Sequence, residues 1–594
     1  MLADALVSDA GHLLVALATV AFAALVVRRI DRPAGEWGRT LRSRLLLGVP
    51  WGTLVAVAFV IAVYLFVQSG LENPNRPVVI PFRAWSYFYP EGVLWSGFAH
   101  SSRSHITGNL LSTLVAGALA EYAYGHFPRD RGASSFSDAR SNPYVRAFLF
   151  VPGAILLFGF LSSLFALGPV IGFSGVVFAL WGFALVHYPL GTIAALTAST
   201  LVSTIHSTIR SPVEVASASP SYGPPSWANI AVQGHALGLL GGILAGVLLI
   251  RHRETARAAV GGAAAAGAAA TTGGSVGVDR ARDVLTSRSA LAVFTAVLLF
   301  GASRRLWAVY WYLGNERYEL YRAIGLALMV LLALIVAVAV AGRDEPVWPE
   351  RAVSNPESTA ELVRSATPAA IGLLCVVIAL AAVAGPGIFP NLVTVSDDEL
   401  PGDPIEVEGY QITYAENVED GMVNVVDVEA FGRSTSVRTS GVIVRSPDRN
   451  IWTTAVSRGN LAFWEFRPVD VGGTGWRETV WAIRSGWKPT GAAATYRVDL
   501  QHDGERSTAF VSDARTAEPR IDGRNVTVAA TEGGFDLIVE HDGANETAPI
   551  PDAGESVRLQ GVDFVREDRR LYAERGDTRL RIAERERYEG RERS

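Results

Sequence analysis

The chain contains almost no cysteine and almost no lysine. Cys375 is the only cysteine among 594 residues, which excludes an intrachain disulfide. Lys488 is the only lysine, so arginine carries nearly all of the basic charge. Together with an acidic C-terminal part, this usage is typical of a salt-adapted, halophilic organism, although a GC-rich genome also favours arginine.

Charge is unevenly distributed along the chain. From residue 391 onward there are 37 acidic and 25 basic residues, a net charge of -12. The preceding residues include 20 acidic and 27 basic ones, a net charge of +7. Neither part has a basic stripe with interleaved aromatic residues, which argues against nucleic acid as a partner.

Apolar residues make up 49% of the chain and are gathered in long runs. Several runs reach the roughly 20 residues that a helix needs to cross a bilayer. Arginine-rich loops between them set the direction of each crossing, because such loops stay in the cytoplasm. We therefore predict an α-helical polytopic protein of the cell membrane, with its N-terminus and its C-terminal domain outside the cytoplasm. The ten predicted spans are Leu13–Val27, Leu45–Val67, Ile106–Tyr124, Ala147–Leu167, Ser174–Val186, Thr192–Ile209, Ile230–Ile250, Ala290–Leu313, Ala323–Ala341 and Pro368–Ile388.

Composition divides the chain into five parts. After the last apolar run, apolar and polar residues alternate in short stretches separated by Gly, Asp and Asn, which predicts antiparallel β-structure. Two acceptor sequons there, at Asn525 and Asn545, fit an extracytoplasmic location. The predicted parts are an extra N-terminal transmembrane helix with a cytoplasmic loop (1–43), a six-helix core (44–257), a flexible Ala/Gly/Thr-rich linker (258–288), three additional transmembrane helices (289–390) and an acidic, β-rich domain (391–594).

Polar residues recur at the starts of three apolar segments. Such groups are costly in lipid and tend to mark function when several occur together. In the predicted topology all three groups lie at a similar depth on the outer side. The stretches are His100-x4-His105-x3-Asn109, Gly172-Phe-Ser174-Gly175 and His235-x2-Gly238-x3-Gly242.

These residue types suggest nucleophilic catalysis. Ser174 is the candidate nucleophile and His235 its base. His105 and Asn109 are four residues apart, hence on one helix face, where both can stabilise an oxyanion. Gly172 helps to aim the serine and to expose backbone N–H groups. The supporting residues are His100, Gly175, Phe178, whose ring is expected to pack on His235, and Gly238 and Gly242, which allow close helix approach.

Other interpretations were weighed against this one. Taken alone, the Ser174 and His235 motifs are more often packing features than functional ones, whereas His100-x4-His105-x3-Asn109 is about equally often either. A zinc site formed by His100, His105 and His235 would lack a carboxylate or cysteine ligand, so neither a metal nor a cofactor is predicted. A transporter is disfavoured because no paired broken helices or internal repeat are evident. The remaining histidines are given no role: His12, His126, His187, His206, His252, His502 and His541.

The combined motifs resemble those of the rhomboid family of intramembrane serine proteases, over about residues 45–250. Glu121, twelve residues after Asn109, also fits that family. The resemblance implies a catalytic dyad of Ser174 and His235, since no acidic residue is placed to orient the histidine. It also implies an oxyanion hole formed by His105, Asn109 and the Ser174 backbone N–H.

The implied activity is cleavage of transmembrane segments of membrane-protein substrates near the outer face of the bilayer. The alternative is a proteolytically inactive rhomboid-like protein that binds membrane clients. Two departures from the family concern the loop and the site: Trp85-Ser86 replaces a frequent Trp-Arg, and Phe178 stands where tyrosine is frequent. The C-terminal domain is a candidate surface for a partner protein.

Overall fold

The computed structural model describes most of the chain, in segments. These are residues 36–127, 138–165, 168–188, 232–268, 297–302, 304–314, 317–320, 322–341, 391–396, 398–424 and 438–589, with some isolated positions. The chain forms two compact units, each described here by itself. The first comprises Met1–Ala218, Pro225–Trp311 and Tyr318–Leu392, and the second is largely Val393–Ser594.

The first unit is mainly helical. Strands β1 (Tyr310–Gly314) and β2 (Arg317–Leu320) pair with each other and precede the helix Arg322–Ala341 in the chain. Ser102 caps the N-terminus of helix Arg103–Tyr124 by accepting a hydrogen bond from the His105 N–H, as serine commonly does at this position. The described helices are α1 (Glu36–Arg44), α2 (Trp51–Val67), α3 (Pro90–Ser96), α4 (Arg103–Tyr124), α5 (Pro143–Leu164), α6 (Ser174–His187), α7 (Val232–Ala268) and α8 (Arg322–Ala341).

The prediction of an α-helical polytopic membrane fold is wrong for the part of the chain that the structure describes. There, one helix, α5, is long and apolar enough to cross a membrane. A helix of 17 residues is about 25 Å long, short of the roughly 30 Å hydrocarbon core. Four further apolar helical stretches have 10–17 residues, and the last two are parts of the longer helices α7 and α8: Trp51–Val67, Ser174–His187, Gly234–Ile250 and Ala323–Leu334.

Hydropathy overestimated the spans because it does not register where a helix stops. The predicted span Leu45–Val67 becomes helical as α2 only at Trp51, after Leu47 adopts a left-handed φ of 57°. In the predicted span Ala290–Leu313, the chain turns at Arg305, also with a φ of 57°, and continues as strand β1. The predicted spans Leu13–Val27, Thr192–Ile209 and Pro368–Ile388 lie wholly or largely outside the described residues.

Helix α7 also differs from the prediction at its C-terminal end. It continues to Ala268, whereas residue 258 was predicted to begin a flexible linker. The residues concerned are rich in alanine, the best helix former, so the low-complexity composition is compatible with a helix. The rest of that predicted linker lies outside the described residues.

Glycines bring α6 and α7 into backbone contact. A Cβ atom added at Gly238 would lie 2.1 Å from the Gly175 carbonyl oxygen, and one at Gly242 would lie 1.9 Å from that of Ala179. Gly182 provides the same clearance from the α6 side, since its added Cβ would lie 2.3 Å from the Leu239 carbonyl oxygen. Small residues therefore set the separation of the two helices that carry the candidate nucleophile and base.

The segment between α2 and α4 is held by Gln68, whose side chain is fully buried. Its amide nitrogen donates to the carbonyl oxygens of Val78 and His100, at 2.7 and 2.9 Å. Its amide oxygen accepts from the His100 N–H at 2.8 Å. One side-chain amide thus links two distant points of the segment. Each of its three hydrogen bonds replaces a hydrogen bond to water that burial removes.

The same segment supports the loop that precedes α6. The Arg83 guanidinium donates to the Pro169 carbonyl at 3.0 Å, and the Ala84 N–H donates to the Val170 carbonyl at 3.2 Å. The Tyr87 hydroxyl donates to the Leu164 carbonyl at the end of α5. The start of α6 is therefore positioned by residues nearly 90 positions earlier in the chain.

The second unit is a large all-β region of antiparallel strands. Its main sheet has the order β12-β11-β10-β20-β19-β18-β17, with β9 also pairing with β10. Two four-stranded sheets, β4-β5-β7-β8 and β13-β14-β15-β16, and the pair β3-β6 complete it. The strands are β3 (Val393–Val395), β4 (Ile405–Val407), β5 (Tyr410–Glu419), β6 (Met422–Asn424), β7 (Arg438–Ser446), β8 (Ile451–Ser457), β9 (Phe466–Gly473), β10 (Trp476–Pro489), β11 (Thr495–His502), β12 (Glu505–Val511), β13 (Arg515–Thr516), β14 (Asn525–Thr531), β15 (Gly534–His541), β16 (Ala544–Pro549), β17 (Ser556–Leu559), β18 (Val562–Glu567), β19 (Arg570–Arg575) and β20 (Thr578–Arg585).

Tight two-residue turns join several of these strands. Between β11 and β12, Asp503 and Gly504 have φ values of 50° and 85°. Between β15 and β16, Asp542 and Gly543 have nearly the same values, 49° and 81°. Two successive positive φ angles define the hairpin turn that matches strand twist, and Asp-Gly is a favoured sequence for it.

Candidate active site

Ser174 and His235 form a hydrogen-bonded pair. The Ser174 Oγ and His235 Nε2 atoms are 2.8 Å apart, although the residues are separated by 61 positions. Ser174 is the first residue of α6, and His235 lies in the first turn of α7. Both side chains are partly buried. A hydroxyl that faces an imidazole nitrogen at this distance can pass its proton to that nitrogen as it attacks a carbonyl.

No third residue forms a hydrogen bond with the imidazole among the described residues. The other ring nitrogen of His235, Nδ1, is buried and has no hydrogen-bond partner there. In a Ser-His-Asp triad, a carboxylate would accept a hydrogen bond from that atom. In the part of the chain that the structure describes, Ser174 and His235 therefore form a two-residue pair, and the catalytic dyad expected from the sequence stays a prediction.

Phe178 holds the plane of the His235 ring instead. The two rings are stacked, with centroids 4.2 Å apart and planes inclined by 10°. Phe178 also makes a T-shaped contact with Phe300, with ring centroids 5.1 Å apart. Stacking fixes the ring orientation and leaves Nε2 directed at the serine.

Gly172 lies beside His105 and Asn109, just before the nucleophile. Its φ is +125°, which only glycine adopts readily, and its N–H donates to the Ser96 carbonyl at 2.7 Å. An added Cβ would lie 2.6 Å from His105 Cε1 and 3.8 Å from Asn109 Nδ2. The loop backbone therefore comes into close contact with the two side chains that the sequence analysis assigned to oxyanion stabilisation.

His100, which precedes α4 in the chain, contacts both of these side chains. The Asn109 Nδ2 and His100 Nε2 atoms are 3.0 Å apart, and the rings of His100 and His105 meet edge to face at 4.9 Å. Since an amide nitrogen can only donate, His100 Nε2 accepts this bond and must be unprotonated. His105 Nδ1 lies 3.1 Å from the Ser101 hydroxyl oxygen.

The charge states of the two rings agree with this arrangement. Burial, and then the nearby His105, keep the pKa of His100 well below its ordinary value. Burial, and then the Arg83 charge, lower the pKa of His105 as well. Both imidazoles are therefore neutral near pH 7, so that a neutral His105 is available to donate one hydrogen bond.

The sequence analysis gave no role to His126, and the structure places it in a buried network. Its Nε2 atom is 2.6 Å from Glu121 Oε1, and both side chains are inaccessible to solvent. Its Nδ1 accepts a hydrogen bond from the Leu46 N–H at 2.8 Å, so Nε2 carries the proton and donates it. An acidic side chain within an apolar helix needs hydrogen-bond donors, because its burial is otherwise costly. Glu121 was therefore the sequence signal that could have pointed to a buried partner such as His126.

The remaining Glu121 bonds reach the start of α2. The carboxylate accepts from the backbone N–H groups of Gly52 and Thr53 and from the Thr53 hydroxyl, at 2.8, 2.8 and 2.7 Å. The N-terminus of a helix attracts an anion through its free N–H groups and its dipole. Glu121 and His126 thus link α4 to α2 and do not contact the Ser174–His235 pair.

Two other features of this unit do not form the site. Among the described residues, the zinc alternative of His100, His105 and His235 does not assemble into a cluster of metal ligands. A cavity of about 280 Å³ lies among α4, α5, α6 and α7, but neither Ser174 nor His235 lines it.

In comparisons with known proteins, no family model, curated protein or solved structure matches the chain. The resemblance to rhomboid proteases therefore depends on the short motifs alone. The function must be argued from those motifs and from the geometry of the site.

Proposed function

We propose that the protein is a serine endopeptidase that uses a Ser174–His235 dyad. The observation that carries the proposal is the 2.8 Å contact between Ser174 Oγ and His235 Nε2, made by the first turns of two separate helices. A packing serine in a helix usually bonds to a carbonyl of its own preceding turn. Ser174 begins its helix and faces an imidazole.

The reaction would proceed through an acyl-enzyme. Ser174 Oγ attacks the peptide carbonyl carbon while His235 Nε2 takes the hydroxyl proton. The C–N bond then breaks as Nε2 returns that proton to the leaving amine. The acyl group remains on Ser174 as an ester. Water then attacks the ester with Nε2 again as base, and the carboxylic acid product and the free serine are released.

The developing oxyanion needs hydrogen-bond donors beside the nucleophile. Asn109, His105 and the Ser174 backbone N–H are the donors proposed, and Gly172 leaves the space that they require. Loss of one such donor typically reduces the rate by about 10²–10³-fold. The His100–Asn109 contact holds the amide, so that its remaining N–H is directed consistently.

The proposed substrates are membrane proteins, cut within or next to their transmembrane segments near the outer face, in the cell membrane. The support is the resemblance to rhomboid proteases and the apolar character of α6 and of Gly234–Ile250, which carry the two residues of the dyad. A helical substrate shields its carbonyls, so segments that unwind easily, with Gly or Pro, would be favoured.

The test is covalent labelling of the full-length chain with a fluorophosphonate, together with cleavage of a transmembrane substrate in liposomes. The wild type should be labelled and active, and Ser174→Ala and His235→Ala should be neither. Ser162→Ala is the matched control, because Ser162 lies next to Gly175 but donates to the Gly159 carbonyl of its own helix at 2.8 Å.

Two outcomes would overturn the proposal. Label retained by Ser174→Ala would remove the serine from the mechanism. A folded wild type that neither reacts with the probe nor cleaves, but binds membrane clients, would favour the inactive rhomboid-like alternative.

A further inference from the structure

Three potential metal ligands meet in the β unit. Glu478 lies on β10, and His502 and Asp503 lie at the end of β11 and in the turn that follows it. One ligand atom from each lies within 4.8 Å of the other two. Among the described residues, this is the one group of three His, Cys, Asp or Glu side chains that meets this condition.

The His502 ring presents one nitrogen, Nε2, without a hydrogen-bond partner in the described part of the chain. Its Nε2 atom is buried and makes no hydrogen bond, although Glu478 Oε2 is 3.4 Å away. That contact is close enough for an ion pair but lacks hydrogen-bond geometry. A buried ring nitrogen that faces a carboxylate oxygen without bonding to it can share an ion with that oxygen, with the ion lying off the line between the two atoms.

The separations fit a small transition-metal ion. Ligands about 2.0–2.1 Å from a tetrahedral centre lie roughly 3.3 Å from each other, which the Nε2–Oε2 pair already satisfies. Asp503 Oδ2 now lies 3.9 Å from the other ring nitrogen, Nδ1. Its side chain is 83% exposed on a hairpin turn, so it can rotate into the third position. Water would fill the fourth.

The donor set selects the class of ion. Imidazole nitrogen with two carboxylates suits Zn²⁺ and similar divalent transition metals. Ca²⁺ prefers six to eight oxygen ligands, which this group does not supply.

The chain contains a matched turn that lacks the third ligand. His541-Asp542-Gly543 repeats the sequence His502-Asp503-Gly504 in the β15–β16 hairpin, with the same pair of positive φ angles. His541 Nε2 lies 3.4 Å from Asp542 Oδ2. Among the described residues, no further acidic or histidine ligand joins that pair. The β11–β12 and β15–β16 hairpins therefore share their turn sequence, and Glu478 beside the first hairpin is what distinguishes them.

We propose that Glu478, His502 and Asp503 bind one divalent transition-metal ion, with Zn²⁺ as the reference ion. The ion would cross-link β10 to the β11–β12 hairpin, because Glu478 and the His502-Asp503 pair come from different strands of the main sheet. Its role is structural, and the inference is independent of the proposed protease function.

The test uses the full-length protein, stripped of metal with a chelator, titrated with Zn²⁺ at pH 7.5 and then heated. Wild type and His541→Ala should bind one more Zn²⁺ than His502→Ala, and Zn²⁺ should raise their unfolding temperature more. Glu478→Gln should weaken binding by more than about tenfold without losing the fold, since Glu478 is half-exposed. Ca²⁺ should not displace the ion.

Each contrary result would overturn the assignment. Equal stoichiometry in wild type and His502→Ala would mean that zinc binds elsewhere. An equal loss in His541→Ala would show that any His-Asp-Gly turn suffices. Displacement by Ca²⁺ would reject the transition-metal class. If His502→Ala does not fold, wild-type affinity in Glu478→Gln would by itself refute the site.

Discussion

The Gly238 α-carbon lies so close to the Gly175 carbonyl that a methyl group on it would come within 2.1 Å of that oxygen. The same two helices carry Ser174 and His235. The contact therefore sets how far apart the nucleophile and the base can be.

We expect Gly238→Ala to impair both stability and labelling at Ser174. Overpacking typically costs about 1–3 kcal/mol, and the separation of α6 and α7 must widen. A shift of about 1 Å at a catalytic pair can cost roughly 10²-fold in rate. Thermal unfolding and fluorophosphonate labelling rates measure the two effects.

Gly108→Ala is the control for this substitution. Gly108 is also in a helix, but nothing lies within 4 Å of an added Cβ. Alanine favours the helix there, so the unfolding temperature should stay the same or rise. A Gly238→Ala protein as active and stable as Gly108→Ala would show that the two helices can separate freely.

Gly172→Ala should remove most of the cleavage activity. Its effect on the stability of the protein should be small by comparison with that loss. Alanine would face both a φ of +125° and a contact of 2.6 Å with the His105 ring. The backbone strain alone costs about 1–3 kcal/mol. Displacing His105 should reduce the cleavage rate by about 10²-fold or more, as for loss of an oxyanion donor.

Gly168→Ala separates strain from contact. Gly168 is in the same loop with a φ of +75°, but nothing lies within 4 Å of its added Cβ. It should therefore lower the unfolding temperature without a comparable loss of rate. If both variants lose activity equally, the loop conformation matters and the Gly172–His105 contact does not.

Glu121→Gln should destabilise the first unit by about 3 kcal/mol, because it breaks a buried, hydrogen-bonded charge. The carboxylate accepts four hydrogen bonds, and the amide nitrogen of glutamine can accept none of them. Chemical denaturation of the full chain measures the change. The exposed Glu72→Gln should alter stability by less than about 0.5 kcal/mol. Equal stability of the two variants would show that these hydrogen bonds contribute little to the stability of the first unit.

The candidate site was more accessible to sequence reasoning than the fold. Ser174, His235, His105 and Asn109 could be grouped because polar residues at the starts of apolar segments are rare and costly. Their mutual distances could not be predicted, since they depend on backbone contacts such as that of Gly238 with the Gly175 carbonyl.

The helical architecture was predicted less well because hydropathy does not encode backbone breaks. Arg305 ends a predicted span through one left-handed residue, after which the chain forms a strand. His126 was dismissed because it stands alone in sequence. It becomes a partner of Glu121 only when the chain reverses at Gly125, with a φ of 73°, and returns the ring to α4.

The order of α6 and α7 along the chain has a consequence during biosynthesis. A nascent polypeptide that ends before residue 232 contains Ser174 but no imidazole from α7. If the proposed dyad is correct, the growing chain stays proteolytically silent until α7 has emerged and closed its glycine contacts with α6. Activity would then report on completed folding, and no separate inhibitory segment would be needed during synthesis.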